Sequence, residues 1–170
     1  MLSAVSFLLV QSAFAQGDKR ASPHETVSLD LNGKKITISY GRPYLKGRQV
    51  GEEVAPYGKV WRLGADEATK LTVNTRVRIA NTLELARGSY ALFAIPQADK
   101  WTLIVNKVAD QWGAFKYDQS QDVGRVELPA TATSSPVEQF TITLTKQSGN
   151  TVTLTLAWGK QSVSTTIELL

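Results

Sequence analysis

Four groups capable of chemistry fall within one run, Val60-Trp61-Arg62-Leu63-Gly64-Ala65-Asp66-Glu67-Ala68. An indole stacks on the apolar face of a pyranose and a guanidinium donates to hydroxyls or to a carboxylate. Trp61 and Arg62, with Tyr57 just upstream, therefore suit a sugar-binding face. The competing reading makes Trp61 a core anchor and pairs Arg62 with Glu67 beneath the loop. If residues 60–67 are extended, Trp61 and Arg62 point to opposite faces, so one of the two is buried. Asp66 and Glu67 offer a second chemistry, a hydrolase or isomerase in which Arg48 and Arg62 stabilise developing negative charge. Neighbours in an extended segment point apart, which suits poorly the separation of about 5 to 9 Å that two carboxyls need across a glycosidic bond.

Upstream, Arg42, Lys46 and Arg48 lie in a stretch from Gly41 to Lys59 that also carries Gly47, Gly51, Gly58, Pro43 and Pro56. A glycine-bearing loop with three cations can hold a phosphate or carboxylate through charge-assisted bonds, or can be a solvated loop with one structural ion pair. Loops this long within a compact fold are uncommon and are often binding loops. His24 is the one histidine of the chain. It can serve as a base or metal ligand only if the fold brings carboxylates to it, and otherwise reads as a flexible, exposed side chain. Asp118, Ser120 and Asp122 have the 1, 3, 5 spacing of a calcium loop, but Val123 replaces the required Gly and Pro129 the bidentate Glu. That excludes an EF-hand and leaves only an irregular site built with Asp110. With no Cys and one His, a His-rich or Cys-rich zinc site lacks ligands. No nucleophile elbow, H-E-x-x-H pair, P-loop or dinucleotide glycine motif occurs, and the expectation is no metal and no cofactor.

The elements that position these groups are strands. Val27, Leu29 and Leu31 alternate with polar residues, Asn32-Gly33 makes a two-residue turn, and Ile36, Ile38 and Tyr40 alternate back. Phe140, Ile142 and Leu144 alternate with threonines, Ser148-Gly149-Asn150 turns the chain, and Val152, Leu154, Leu156 and Trp158 return, extended by Val163, Ile167 and Leu169. Tyr90 to Ile95 and Trp101 to Val105 are apolar on both sides and belong in an interior. Shorter strands are predicted at Lys70 to Val73, Arg76 to Ile79 and Val123 to Leu128, with Pro129 to Pro136 as a connection. About ten strands and no convincing helical period predict an all-β, single antiparallel sandwich or jelly-roll-like domain over residues 16–170.

The 170 residues are 42% hydrophobic and 20% charged, with a net charge of +4. This composition excludes a disulfide scaffold, a thiol nucleophile and a disordered low-complexity chain. Met1 to Ala15 carries no charge and ends in Ala13-Phe14-Ala15, the apolar and cleavage parts of a secretory signal. The Lys or Arg that normally precedes such a run is absent, as when the true start lies upstream. The run is shorter than the ~20 residues of a bilayer span. The mature chain, with no transmembrane segment, is expected to be periplasmic or secreted. No Lys/Arg run exceeds two residues, so no nucleic-acid footprint is seen. Outside the cytoplasm a modest positive excess favours contact with anionic envelope glycans or lipid head groups over DNA.

Further signatures run through the chain: Ser22-Pro23, Lys46-Gly47-Arg48, Pro56-Tyr57-Gly58, the Val60–Ala68 run, Tyr90 to Pro96, Trp101, Asn106 and Gln111-Trp112-Gly113. Together they resemble the bacterial family termed domain of unknown function 2911, over Ser22 to Leu169. The resemblance implies an exported protein and carries no established activity. This chain departs from the family pattern at Asp66, where Asn is commoner, and at Val50-Gly51, where Phe-Gly follows the K-G-R stretch. The first departure weakens any role that needs an amide at position 66. The reading is a protein that binds a glycan or small anionic ligand through Arg42, Lys46, Arg48, Tyr57, Trp61, Arg62 and Glu67. The alternatives are the Glu67/Asp66 hydrolase or isomerase and a structural envelope protein with no ligand.

Overall fold

The computed structural model describes residues 20–170; the apolar run from Met1 to Ala15 lies outside them. The first hairpin forms as its alternation requires. Strand β1 (His24–Leu31) pairs antiparallel with β2 (Lys34–Gly41), with Val27 opposite Ile38 and Leu29 opposite Ile36. Asn32 and Gly33 have φ of 56° and 86°, the two positive values that a type I′ turn needs to match strand twist.

Seven further strands complete an all-antiparallel sheet: β3 (Thr69–Val73), β4 (Val77–Ile79), β5 (Leu83–Leu85), β6 (Gly88–Pro96), β7 (Lys100–Asn106), β8 (Asp122–Lys146) and β9 (Thr151–Leu169). Their order is β1-β2-β3-β6-β7-β8-β9-β4-β5. Nine strands stand where about ten were expected, because two are long. The predicted strands at Val123 to Leu128 and Phe140 to Leu144 are the halves of the 25-residue β8. The residues from Pro129 to Pro136, predicted as a connection, lie within that strand. Pro129 still pairs with Lys100 of β7, and from Ala130 onward the partner is β9. The register then slips between Ala132 and Val137, so Pro136, which has no N–H for a ladder bond, falls in the irregular stretch where prolines are tolerated. Gly159, opposite Val137 with φ of 60°, takes the matching bend in β9.

This bend folds the sheet on itself, and both arms bury one core. Ile36, Ile38, Leu71, Leu92 and Leu103 from one arm share a cluster with Phe140, Ile142, Leu154, Leu156 and Trp158 from the other. Tyr40 of β2 contacts Phe140 of β8 edge-on at 5.7 Å, and its hydroxyl accepts the Ile142 N–H at 2.9 Å. The doubly apolar β6 and β7 are covered on both faces. Leu92, Ala94, Trp101, Leu103 and Val105 join the main core, whereas Ala91, Phe93 and Ile104 form a second cluster under Tyr117 and Ala114.

Candidate functional site

Between β2 and β3 the chain runs for 27 residues without a ladder strand, and it is not loose. Leu45, Val54, Ala55 and Leu63 are buried in the main core, and Gly58 donates its N–H to the Pro96 carbonyl at 2.9 Å. Its last part, with Thr69 at the start of β3, is the most constrained. Trp61 forms a two-way backbone bridge with Ala94 of β6. The Thr69 hydroxyl donates to the Leu63 carbonyl at 2.6 Å and the Trp61 indole N–H to the Gly64 carbonyl at 3.1 Å. The segment lies directly on Gly41: a Cβ there would meet the Ala65 carbonyl oxygen at 2.3 Å. From the other side, Gln111 accepts from the Ala68 N–H and Gly113 donates to the Asp66 carbonyl, both at 2.9 Å.

Leu63 and Asp66 sit at φ of 53° and 62°, the left-handed region that side chains rarely adopt. At Asp66 this overturns the extended geometry assumed from sequence. Asp66 and Glu67 do not point apart, because the left-handed residue turns both carboxylates toward His24 at the start of β1. The His24 Nε2 lies 3.0 Å from Asp66 Oδ2 and 3.6 Å from Glu67 Oε2. One Nη of Arg20 lies 2.7 Å from the same Glu67 oxygen. It is also 3.1 and 3.4 Å from the two imidazole nitrogens.

Arg20, His24 and Glu67 edge a cleft of about 440 Å³ whose wall continues through Lys70, Asp110 and Trp112. Lys70 and Asp110 form an ion pair across it. Trp112 is 60% exposed at the rim and Phe115, beyond it, 82%; both border an adjoining hollow of about 350 Å³ with Val108. The 108–122 loop that carries them hangs on Asn106, fully buried. Its amide donates to the Asp118 carbonyl and to Asp122 Oδ1, and its carbonyl accepts from Val108 N–H and Gln111. Burial, and then the hydrogen bond to Asp122, pushes the Tyr117 hydroxyl up to about 12.

The seven residues predicted as one site do not converge. Trp61 is half-buried and packs against the core, stacked on Trp158 at 5.4 Å and edge-on to Trp101 and Phe140. Arg42 is a strut between β1 and β8, with bonds to Glu25, the Phe140 carbonyl and Thr141. Arg48 donates to the Leu45 and Tyr44 carbonyls. With Tyr57, whose ring covers Gly51, and Lys160 it lines a separate cleft of about 350 Å³. Lys46 is exposed at a turn, its N–H held by Glu138. The Arg62 guanidinium runs against Gly113 with its buried Nε unpartnered, while Glu67 pairs with Arg20 instead. Glu67 alone of the seven lines the larger cleft. Arg20, Lys70 and Trp112 were missed as site residues, and Asp110 was weighed only for calcium. The signal for Trp112 was present in the Gln111-Trp112-Gly113 signature, but nothing local in the sequence sets it beside Glu67.

The residues weighed for an irregular calcium site are engaged otherwise. Asp118 caps the 3-10 turn Gln119–Gln121 by accepting from the Ser120 N–H. Asp122 accepts from Tyr117, Asn106 and Arg125, and Asp110 is across the cleft with Lys70. Among the described residues the histidine and carboxylate atoms that do converge are those of His24, Asp66 and Glu67, all within 4.8 Å of one another.

Fold and site together define an antiparallel all-β protein with a charged, aromatic-rimmed cleft at the ends of β1 and β2. The chain matches the model of the family described as protein of unknown function (DUF2911) over residues 22–167 and belongs to that family. No curated protein and no solved structure matches it.

Proposed function

We propose that the protein is an exported glycan-binding protein whose ligand lies in the cleft bounded by His24, Glu67, Lys70, Asp110 and Trp112. The observation that carries this reading is Trp112, a large ring 60% exposed at the rim of a cleft lined with ion-paired hydrogen-bonding groups. An aromatic face beside fixed donors and acceptors is what a sugar ring requires: its C–H face stacks and its hydroxyls bond at the edges. Export rests on the uncharged apolar run and A-x-A of Met1 to Ala15. Envelope and extracellular polysaccharides are then the ligands within reach.

The small-anion reading has its own support in the second cleft, where Arg48 and Lys160 flank Tyr57 with no acidic side chain in the lining. A thermal-shift screen separates the two. Neutral oligosaccharides and peptidoglycan fragments are expected to raise the midpoint of the wild type and not of Trp112→Ala. At 100 times its dissociation constant a ligand adds about 2.7 kcal/mol, several degrees for a chain of this size. A shift produced by phosphate or a uronate, abolished by Arg48→Ala and untouched by Trp112→Ala, would move the ligand to the second cleft.

A further inference from the structure

From His24, Asp66 and Glu67 we infer a divalent transition-metal site, of the kind that takes Zn²⁺, beside the larger cleft, which His24 and Glu67 line. It is independent of the glycan reading. The chain has one histidine and no cysteine, and the fold brings that histidine to the two neighbouring carboxylates. Its Nε2 is 3.0 and 3.6 Å from one oxygen of each. A tetrahedral ion bonded at about 2.0–2.1 Å separates adjacent ligand atoms by about 3.3 Å, a value these two distances bracket. An ion pair between imidazole and a single carboxylate needs only one of them. The second arrives because Asp66 is left-handed and because residues 62–68 are clamped between Gly41 and the Gln111–Gly113 turn. The donors are thus held before any ion arrives.

The chemistry of the set narrows the ion. One imidazole nitrogen with two carboxylate oxygens suits Zn²⁺ or a neighbouring transition ion over Ca²⁺ or Mg²⁺, which prefer all-oxygen shells of six or more. Three protein ligands leave at least one position open toward the cleft, the arrangement of zinc sites that admit water or a substrate oxygen. Arg20 opposes binding: its guanidinium touches Glu67 Oε2, one of the oxygens the ion would take, so its removal is expected to strengthen binding.

Because His24 is the only imidazole, its ring resonances in the untagged full chain report the site without ambiguity. Titrating the protein with Zn²⁺ alone, followed by NMR of that ring and by calorimetry, is expected to shift the resonances and saturate at one equivalent. Asp66→Asn and Glu67→Gln, which keep side-chain size, are expected to weaken binding at least tenfold with unchanged circular dichroism. Asn also accepts the left-handed backbone. Arg20→Ala is expected to bind several-fold more tightly. An imidazole signal that does not move with Zn²⁺, or one that moves equally in the wild type and both carboxylate variants, would overturn the site. Weaker binding by Arg20→Ala would overturn it as well.

Discussion

Two tryptophans divide structural and surface roles. Trp61 fills the space between Trp101, Phe140 and Trp158 where the two arms of the sheet meet, so truncation leaves a cavity lined by rings. Trp61 is half-buried, and Trp61→Ala is expected to cost about 2 to 4 kcal/mol in denaturant unfolding, somewhat less than a fully buried aromatic truncation. Trp112 stands at the cleft rim, and Trp112→Ala is expected to change stability by about 0.5 kcal/mol or less. Tyr117 gives a pH signature at the same scale. Its hydroxyl is held near 12 in the fold against about 10 in an unfolded chain. The fold therefore holds this proton more tightly, and the stability it contributes is complete below about pH 10 and lost as pH rises toward 12. Spectrophotometric titration is expected to show Tyr117 ionising late, together with the buried Tyr40, whose hydroxyl burial also holds above the usual range. Tyr117→Phe is expected to flatten the alkaline loss of stability over that window.

At the scale of elements, the site depends on residues 61–69 keeping an unusual path. Gly41→Ala puts a methyl into the Ala65 carbonyl and is expected to destabilise by about 1 to 3 kcal/mol. The same change is expected to uncouple Asp66 and Glu67 from His24, read as loss of ligand response in protein that remains folded. Alternation and turn chemistry made the β1/β2 and β8/β9 hairpins legible, because inward-facing residues recur every second position whatever the tertiary context. Pro129 to Pro136 was misread, since Ala, Ser and Thr suit an exposed strand as well as a connection, and only the partner exchange from β7 to β9 decides between them. The site was legible only as a neighbourhood. The density of Trp61, Arg62, Asp66 and Glu67 marked the right segment, but Leu63 and Asp66 take positive φ that their residue types do not announce. His24 and Trp112 reach Glu67 through long-range contacts: the register of β1 on β2, and the bridge between Glu67 and Trp112.

Across the whole molecule, one sheet bent where the β8 register slips after Ala132, opposite Gly159, encloses a single main core and leaves its chemistry at the surface. The β1/β2 end, the 61–69 segment and the 108–122 loop meet at the larger cleft; the Arg48 cleft lies against the bend of β9 at Gly159. Asn106 links core to cleft, since its buried amide holds both ends of the loop that presents Trp112. Asn106→Ala leaves the Val108 N–H and Asp122 without this partner, and is expected to destabilise by about 1 to 3 kcal/mol and to weaken ligand binding with Trp112 intact. The central claim is that the larger cleft binds a glycan through Trp112. Its most direct test is calorimetric titration of neutral envelope oligosaccharides into the wild-type protein and into Trp112→Ala. Saturable binding by the wild type, reduced at least tenfold in a variant whose unfolding midpoint is unchanged, is the predicted result. Equal affinity in the two proteins, or no binding by the wild type to any oligosaccharide, would contradict it.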